Sequence, residues 1–223
     1  MEPMVVMAAK AAQRVGQEIL KAHQNRHTLE LKIESKGLDG LVTQVDRYSE
    51  ELIIALLQES YPNHSFLGEA FGLQEGKGHD GDWCWVIDPL DGTHNFIHGI
   101  PHFCVSVGVQ LNGVTQHGVI YDPVRDEMFS ASRGKGARLN QRRINVSEHT
   151  TIDGGLFTTG HPLEKNFADG KRSFAKEHFE SLQKICEAGG QVRRFGSAAL
   201  DLAYVAAGRF DGYVQMSLTP WDA

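Results

Sequence analysis

The stretch Trp85-Val86-Ile87-Asp88-Pro89-Leu90-Asp91-Gly92-Thr93 runs an apolar strand straight into two carboxylates three residues apart. Pro89 fixes φ between them and Gly92 permits a tight turn, so one carboxylate is expected on each side of that turn. Thr93 then opens a new segment with a hydroxyl. Burying a core calls for none of this. Two acids, an outward Leu90 carbonyl and an exposed hydroxyl suit divalent cations held beside a phosphate.

The flanking sequence is mostly β. Strands are predicted at 83–88, 103–111, 115–121 and 127–132, with Leu111-Asn112-Gly113 as a hairpin turn. Upstream, His64 to Glu69 is a short strand ending in an acid, and residues 72–82 form a glycine-rich surface loop. Apolar spacing predicts helices over 4–24 and 44–59, the second stopped by Pro62. Residues 29–36 alternate as a strand, with Gly37 and Gly40 marking the turn after it. Downstream, helices are expected at 171–188 and 197–207, the latter capped by Gly208, and strands at 190–195 and 210–216. The pattern predicts an α/β (α+β) layered sandwich with antiparallel sheet. A boundary near 145–155 separates an N-terminal metal-binding subdomain, 1–148, from a C-terminal α/β subdomain, 149–223.

Composition excludes several classes. The chain has 223 residues, is 41% hydrophobic and carries a net charge of −6, so no broad basic surface is present for nucleic acid. Arg138, Arg142 and Arg143 form a local basic run that reads as a solvated loop. Met1-Glu2-Pro3-Met4 lacks the basic start of a signal peptide, and no apolar run approaches the ~18 residues of a membrane span. Cys84, Cys104 and Cys186 lack metal spacing and read as reduced, buried thiols of a cytoplasmic protein.

Acids at strand ends or helix starts recur along the chain: Asp46, Glu69, the pair Asp88 and Asp91, and Asp222. Mg²⁺ needs a near-octahedral set of oxygen ligands, which one loop cannot supply and several converging strand ends can. Alone, Asp46 reads as an acid favoured by a helix N-terminus and Glu69 as a loop-end charge. Thr93 has two compatible readings: an N-cap, or a hydroxyl that orients an attacking water with Asp46 behind it. The N–H groups of Gly92 and Thr93 are placed to bind a phosphate.

Glu69 after Phe66-Leu67-Gly68, the run Trp85 to Thr93, Gly196-Ser197-Ala198 and Trp221-Asp222 together resemble the inositol monophosphatase family, and within it the bacterial SuhB-like branch. The resemblance covers the whole chain. It implies alternating layers of helices and sheets and Mg²⁺-dependent, lithium-sensitive hydrolysis of small phosphorylated polyols such as inositol monophosphate. By the same resemblance, Glu69, Asp88, the Leu90 carbonyl, Asp91 and Asp222 are metal ligands, and Asp46 and Thr93 activate the water. Gly92 and Thr93 hold the phosphate, and Gly196, Ser197, Ala198 and Gln215 meet the polyol. A homodimer is the family expectation. The SuhB-like branch further implies a role in transcription antitermination, with Nus factors and RNA polymerase as partners.

The chain departs from the family pattern in three places. Ala70 stands where a second Glu is usual, and Gln215 where many members have Glu. Family members also continue for several tens of residues past Asp222, so the C-terminal part is expected to be truncated, with Asp222 on a fraying end and metal binding weakened. Phosphatases of the haloacid dehalogenase type also place Gly-Thr after an acid pair, but their covalent chemistry needs acids two residues apart, not three. Relatives specific for fructose bisphosphate or adenosine bisphosphate carry insertions that this chain lacks.

Overall fold

The computed structural model describes residues 2–28, 33–35, 41–77, 82–162, 164–167, 170–216 and 218–222. Five helices occur in it: α1 (Pro3–Gln24), α2 (Gln44–Gln58), α3 (Thr93–His98), α4 (Ala175–Glu187) and α5 (Ala198–Ala206). The fifteen strands are β1 (Ile33–Ser35), β2 (Leu41–Thr43), β3 (Ser65–Gly68), β4 (Gly72–Gln74), β5 (Trp83–Asp91), β6 (Cys104–Leu111), β7 (Val114–Asp122), β8 (Glu127–Ser132), β9 (Gly136–Leu139), β10 (Arg142–Ile144), β11 (Leu156–Thr159), β12 (Glu164–Phe167), β13 (Gly170–Ser173), β14 (Gln191–Arg193) and β15 (Gly212–Val214).

Eight strands make one mixed sheet in the order β10-β9-β8-β7-β6-β5-β3-β4. All its pairs are antiparallel except β3 with β5. A second sheet, β14-β11-β15, is parallel throughout. Helices α1 and α2 cover one face of the large sheet. Val15, Ile19, Ile53 and Leu57 pack there against Trp85, Ile87, Val107 and Val119, all essentially buried. Burying each such side chain stabilises the fold by about 1.5–3 kcal/mol. Helix α5 lies between the two sheets: Ala199, Leu200 and Ala203 join Cys104 and Phe129 in a second core, and the helix also touches β11 and β15. The layered α/β architecture expected from the sequence is the one present.

Several elements differ from expectation. The strand ending at Asp88 continues to Asp91, because a bulge lets β6 keep pairing as far as Cys104. The loop at 72–82 contains β4, whose residues pair back onto β3. Helix 171–188 starts only at Ala175, since Gly170 to Ser173 pair with β12 instead. The basic run is no loop: Arg138 and Arg143 are cross-strand partners in the β9–β10 hairpin, with exposed side chains. Of the cysteines, Cys104 is buried, Cys84 is partly covered and Cys186 is exposed on α4, so the expectation of three buried thiols fails at Cys186. Of the strand expected at 29–36, Ile33–Ser35 is described, and Gly37 and Gly40 lie outside the described residues. Among the described residues, no helix is long and apolar enough to cross a membrane.

Candidate functional site

In a regular strand, residues three apart face opposite sides of the sheet. Asp88 and Asp91 would then diverge. The register between β5 and β6 shifts here: Asp88 pairs with Ser106 and Asp91 with Cys104, so β5 carries one extra residue. This is a β-bulge, and Pro89 sits in it, where the ladder needs no donor. The bulge, not a turn, brings Asp88 and Asp91 to one side. One carboxylate atom from each of Asp88, Asp91 and Asp222 lies within 4.8 Å of the others.

Each acid is held by neighbours. Asp91 Oδ2 accepts from the Ser197 hydroxyl at 2.6 Å and from the Ala199 N–H at 2.8 Å, and the Cys104 thiol lies 3.7 Å away. That occupies one oxygen and leaves Oδ1 for a ligand. Asp88 Oδ1 accepts from the Leu90 N–H at 3.0 Å. Asp222 Oδ2 accepts from the Thr219 N–H at 3.0 Å and its hydroxyl at 2.6 Å. Trp221 is tied in turn, its carbonyl accepting from Ser106 Oγ at 3.3 Å. Asp222 is therefore held through Thr219 and Trp221.

Thr93 is the first residue of α3 rather than its cap, which is Gly92 in a left-handed conformation with φ 98°. A side chain at position 92 would press on the His102 carbonyl, 2.9 Å from where its Cβ would stand. The Thr93 hydroxyl lies 3.0 Å from Asp46 Oδ1 and 3.0 Å from the Leu90 carbonyl, both acceptors. Asp46 Oδ2 accepts from the Thr43 N–H at 2.8 Å and its hydroxyl at 2.5 Å, closing a capping box at the start of α2.

The electrostatics follow from burial. Asp88 is 3% exposed and its carboxyl is raised well above the usual range, first by desolvation and then by Glu69, Asp91, Asp222 and Asp46. Asp91 is raised to about 6, by burial and then Asp222, against the opposing Ser197 and Ala199 hydrogen bonds. Asp46 is raised by burial. Several acids crowded in low dielectric form a set whose charge a divalent cation would balance. All the ligand atoms are hard oxygens, which suits Mg²⁺ or a similar ion.

A cleft of about 690 Å³ opens over the cluster. Every site residue expected from the sequence lines it except Asp46, which stands behind Thr93. Glu69 lines the cleft close enough to raise Asp88, but its carboxylate lies outside the 4.8 Å group. Ser197 is 1% exposed and stands at the N-cap of α5, but its hydroxyl braces Asp91 instead of making a side-chain cap bond. Gly196 and Ala198 line the wall beside it, and Gln215 accepts a hydrogen bond from the Tyr213 hydroxyl.

Glu50 was not among the expected residues. It is 0% exposed, and its carboxylate accepts from the N–H groups of Ala70 at 2.7 Å and Phe71 at 3.1 Å. It thereby clamps the loop that presents Glu69. A Cβ at Gly68 would collide with it at 1.8 Å. The available signal was spacing: Glu50 lies one helical turn after Asp46, on the same buried face. Asn95 was also missed. Its amide donates to the carbonyls of His102 and Phe195, both at 2.8 Å, and joins α3 to the loop before α5.

Comparison with known proteins gives one consistent answer. The profile of the inositol monophosphatase family matches residues 1–223. The Nus factor SuhB of Pseudomonas aeruginosa is 44% identical over 222 residues, covering 100% of this chain and 80% of that protein. The crystal structure of extragenic suppressor protein SuhB from Bartonella henselae superposes with a TM-score of 0.88 at 35% identity, covering 99% of this chain and 81% of that one. Inositol monophosphatase from Anabaena gives a TM-score of 0.79 at 35% identity, over 99% and 77% of the two chains.

Proposed function

The chain belongs to the inositol monophosphatase family, within which it is similar to the SuhB proteins, and on that premise we propose that it hydrolyses a small phosphorylated polyol, with inositol monophosphate as first substrate. The observation that carries this reading is the convergence of Asp88, Asp91 and Asp222 within 4.8 Å, beside a Thr93 hydroxyl backed by Asp46. Asp88, Asp91 and Asp222, with Glu69 and the Leu90 carbonyl, would hold Mg²⁺, which supplies neutralisation of the phosphate oxygens and acidifies a bound water.

The chain's own groups do the rest. Thr93 Oγ1 has Asp46 Oδ1 and the Leu90 carbonyl as acceptors for its proton, so its lone pairs face the cleft to accept from the attacking water. Asp46, raised by burial, takes the proton through Thr93. The N–H groups of Gly92 and Thr93 orient the phosphate, and Gly196, Ala198 and Gln215 meet the polyol. Attack is direct and in line, with positioning and charge neutralisation supplying the rate. A homodimer in the cytoplasm, inhibited by lithium, completes the proposal.

The test is phosphate release from inositol 1-phosphate with and without Mg²⁺. Asp91→Asn is expected to abolish the Mg²⁺-dependent rate, and full activity in that variant would show the metal site misassigned. The name Nus factor SuhB, carried by the Pseudomonas relative, favours a second reading, in which the chain acts with Nus factors and RNA polymerase. Capture of RNA polymerase by a Thr93→Ala variant as efficient as by the wild type would support that role independently of catalysis.

A further inference from the structure

One side-chain amide joins two linings of the cleft. Asn95 lies on α3, two residues after Thr93, and is buried. Its Nδ2 donates to the carbonyls of His102 and Phe195, each at 2.8 Å, and lies 3.4 Å from the Gly196 carbonyl. A carboxamide has two N–H groups, and the two short bonds take both. Their acceptors belong to different segments: the return from α3 into β6, and the loop into α5, which lies 100 positions further along the chain. Packing at the second contact is close. Gly196 has φ 84°, and a Cβ there would stand 3.2 Å from Asn95 Nδ2. The next residues of the loop are held by another group: Ser197 Oγ and the Ala199 N–H both donate to Asp91 Oδ2. The loop is therefore tied at two points, through Asp91 and through Asn95. Cutting the Asn95 tie leaves the Asp91 tie in place.

We propose that Asn95 is a positioning residue: it sets the separation between the turn that carries Thr93 and the wall formed by Gly196 and Ala198, and so selects the body of the substrate independently of its phosphate. The inference rests on the phosphatase reading, which puts the phosphate at Gly92 and Thr93 and the polyol at Gly196, Ala198 and Gln215. The two parts of such a ligand lie at opposite ends of the Asn95 tie. Loosening it keeps the surroundings of the phosphate and lets the polyol wall drift. A misplacement of about 1 Å is enough to undo aligned contacts.

The test measures binding to Mg²⁺-loaded protein by calorimetry in a Thr93→Ala background, so that it does not depend on turnover. It compares inositol 1-phosphate with inorganic phosphate, which lacks the polyol. With Asn95 intact, inositol 1-phosphate is expected to bind more tightly. Asn95→Ala, which removes both donors, should weaken inositol 1-phosphate about tenfold and change inorganic phosphate by less than about twofold. Asn95→Ser, which keeps one shorter donor, should lose less, and it decides alone by the same ratio if Asn95→Ala does not fold. Equal weakening of the two ligands overturns the inference, because Asn95 then supports the fold or the phosphate turn as a whole. So does unchanged binding of both, or a chain with Asn95 intact that binds inositol 1-phosphate no more tightly than phosphate. If the preference is present and depends on Asn95 but the chain with Thr93 restored releases no phosphate from inositol 1-phosphate, the positioning role stands and the phosphatase reading falls.

Discussion

Two segments of the site, one behind Thr93 and one lining the cleft, use the same local device. Thr43-Gln44-Val45-Asp46 and Thr219-Pro220-Trp221-Asp222 each fold so that one carboxylate oxygen accepts from both the N–H and the hydroxyl of the threonine three residues earlier. The distances nearly coincide: 2.8 and 2.5 Å in the first, 3.0 and 2.6 Å in the second. What differs is the other oxygen. Asp46 Oδ1 meets the Thr93 hydroxyl and the residue is 1% exposed at the start of a fifteen-residue helix. Asp222 turns its carboxylate to Asp88 and Asp91. One device thus fixes a carboxylate without deciding its task; in the proposed mechanism the neighbour of the remaining oxygen sets whether it relays a proton or holds a cation.

The largest effect expected from this contrast is at Asp46. Asp46→Asn keeps the shape but removes the proton acceptor, and the phosphate-release rate should fall by about 10²–10⁴-fold with Mg²⁺ affinity little changed. A matching loss of Mg²⁺ affinity, measured by calorimetry, would erase the distinction between the two acids. Next is Thr219→Val, which strips the hydroxyl from the Asp222 device. It should weaken Mg²⁺ binding by roughly 10–100-fold and leave the rate at saturating Mg²⁺ near that of the wild type. If saturating Mg²⁺ does not restore the rate, Thr219 does more than orient a ligand.

A smaller effect concerns pH. Burial and the nearby Asp222 raise the Asp91 carboxyl to about 6, above its ordinary 3.8, and burial with Glu69 also raises Asp88 well above the carboxylate range. A raised pKa means that the metal-free fold binds an extra proton at Asp91, so this group's contribution to stability is fully present below 3.8 and is lost as pH rises through 6. Cation binding removes the repulsion. The increase in Tm on adding Mg²⁺ should therefore be larger at pH 7.5 than at pH 5.5, and an equal increase would contradict the crowding of these acids.

The smallest concerns an acid without any such device. Asp201 on α5 is 0% exposed, neither of its oxygens has a hydrogen-bond partner among the described residues, and burial raises it to about 7. Its charge costs the fold stability as pH rises through 7. Asp201→Asn should leave stability unchanged near pH 4 and raise it by about 2 kcal/mol at pH 8, read as the difference between denaturation midpoints. No difference at pH 8 would mean that Asp201 is satisfied by contacts other than these.

The pair Asp88 and Asp91 was legible because its members are neighbours in sequence and follow an apolar strand. The helices over 4–24 and 44–59 were legible because long amphipathic periods leave little ambiguity. Glu50 was hidden for the opposite reason. Its partners are the backbone N–H groups of Ala70 and Phe71, about twenty positions away, and main-chain donors leave no mark in a sequence. The bulge was read as a turn because Pro-Leu-Asp-Gly suits either, and only pairing with β6 separates them. Strands β4, β9 and β10 escaped because they are three or four residues long, too short to show alternation. The service of Ser197 to Asp91, across 106 positions, is a contact only the folded chain creates.

The extra residue of β5 acts as a phase shift. Upstream of it, Trp85, Val86 and Ile87 alternate in step with Val109, Gly108 and Val107 of β6, and that stretch belongs to the core. Downstream, the alternation resumes one position out of step, and the chain spends that offset on chemistry. Deleting Pro89 would put the two halves back in phase and leave Asp88 and Asp91 two residues apart, still on one side of the sheet, so the extra residue is what lets two acids three apart in sequence converge. The extra residue thus frees one peptide of β5 from the ladder without turning the two acids apart.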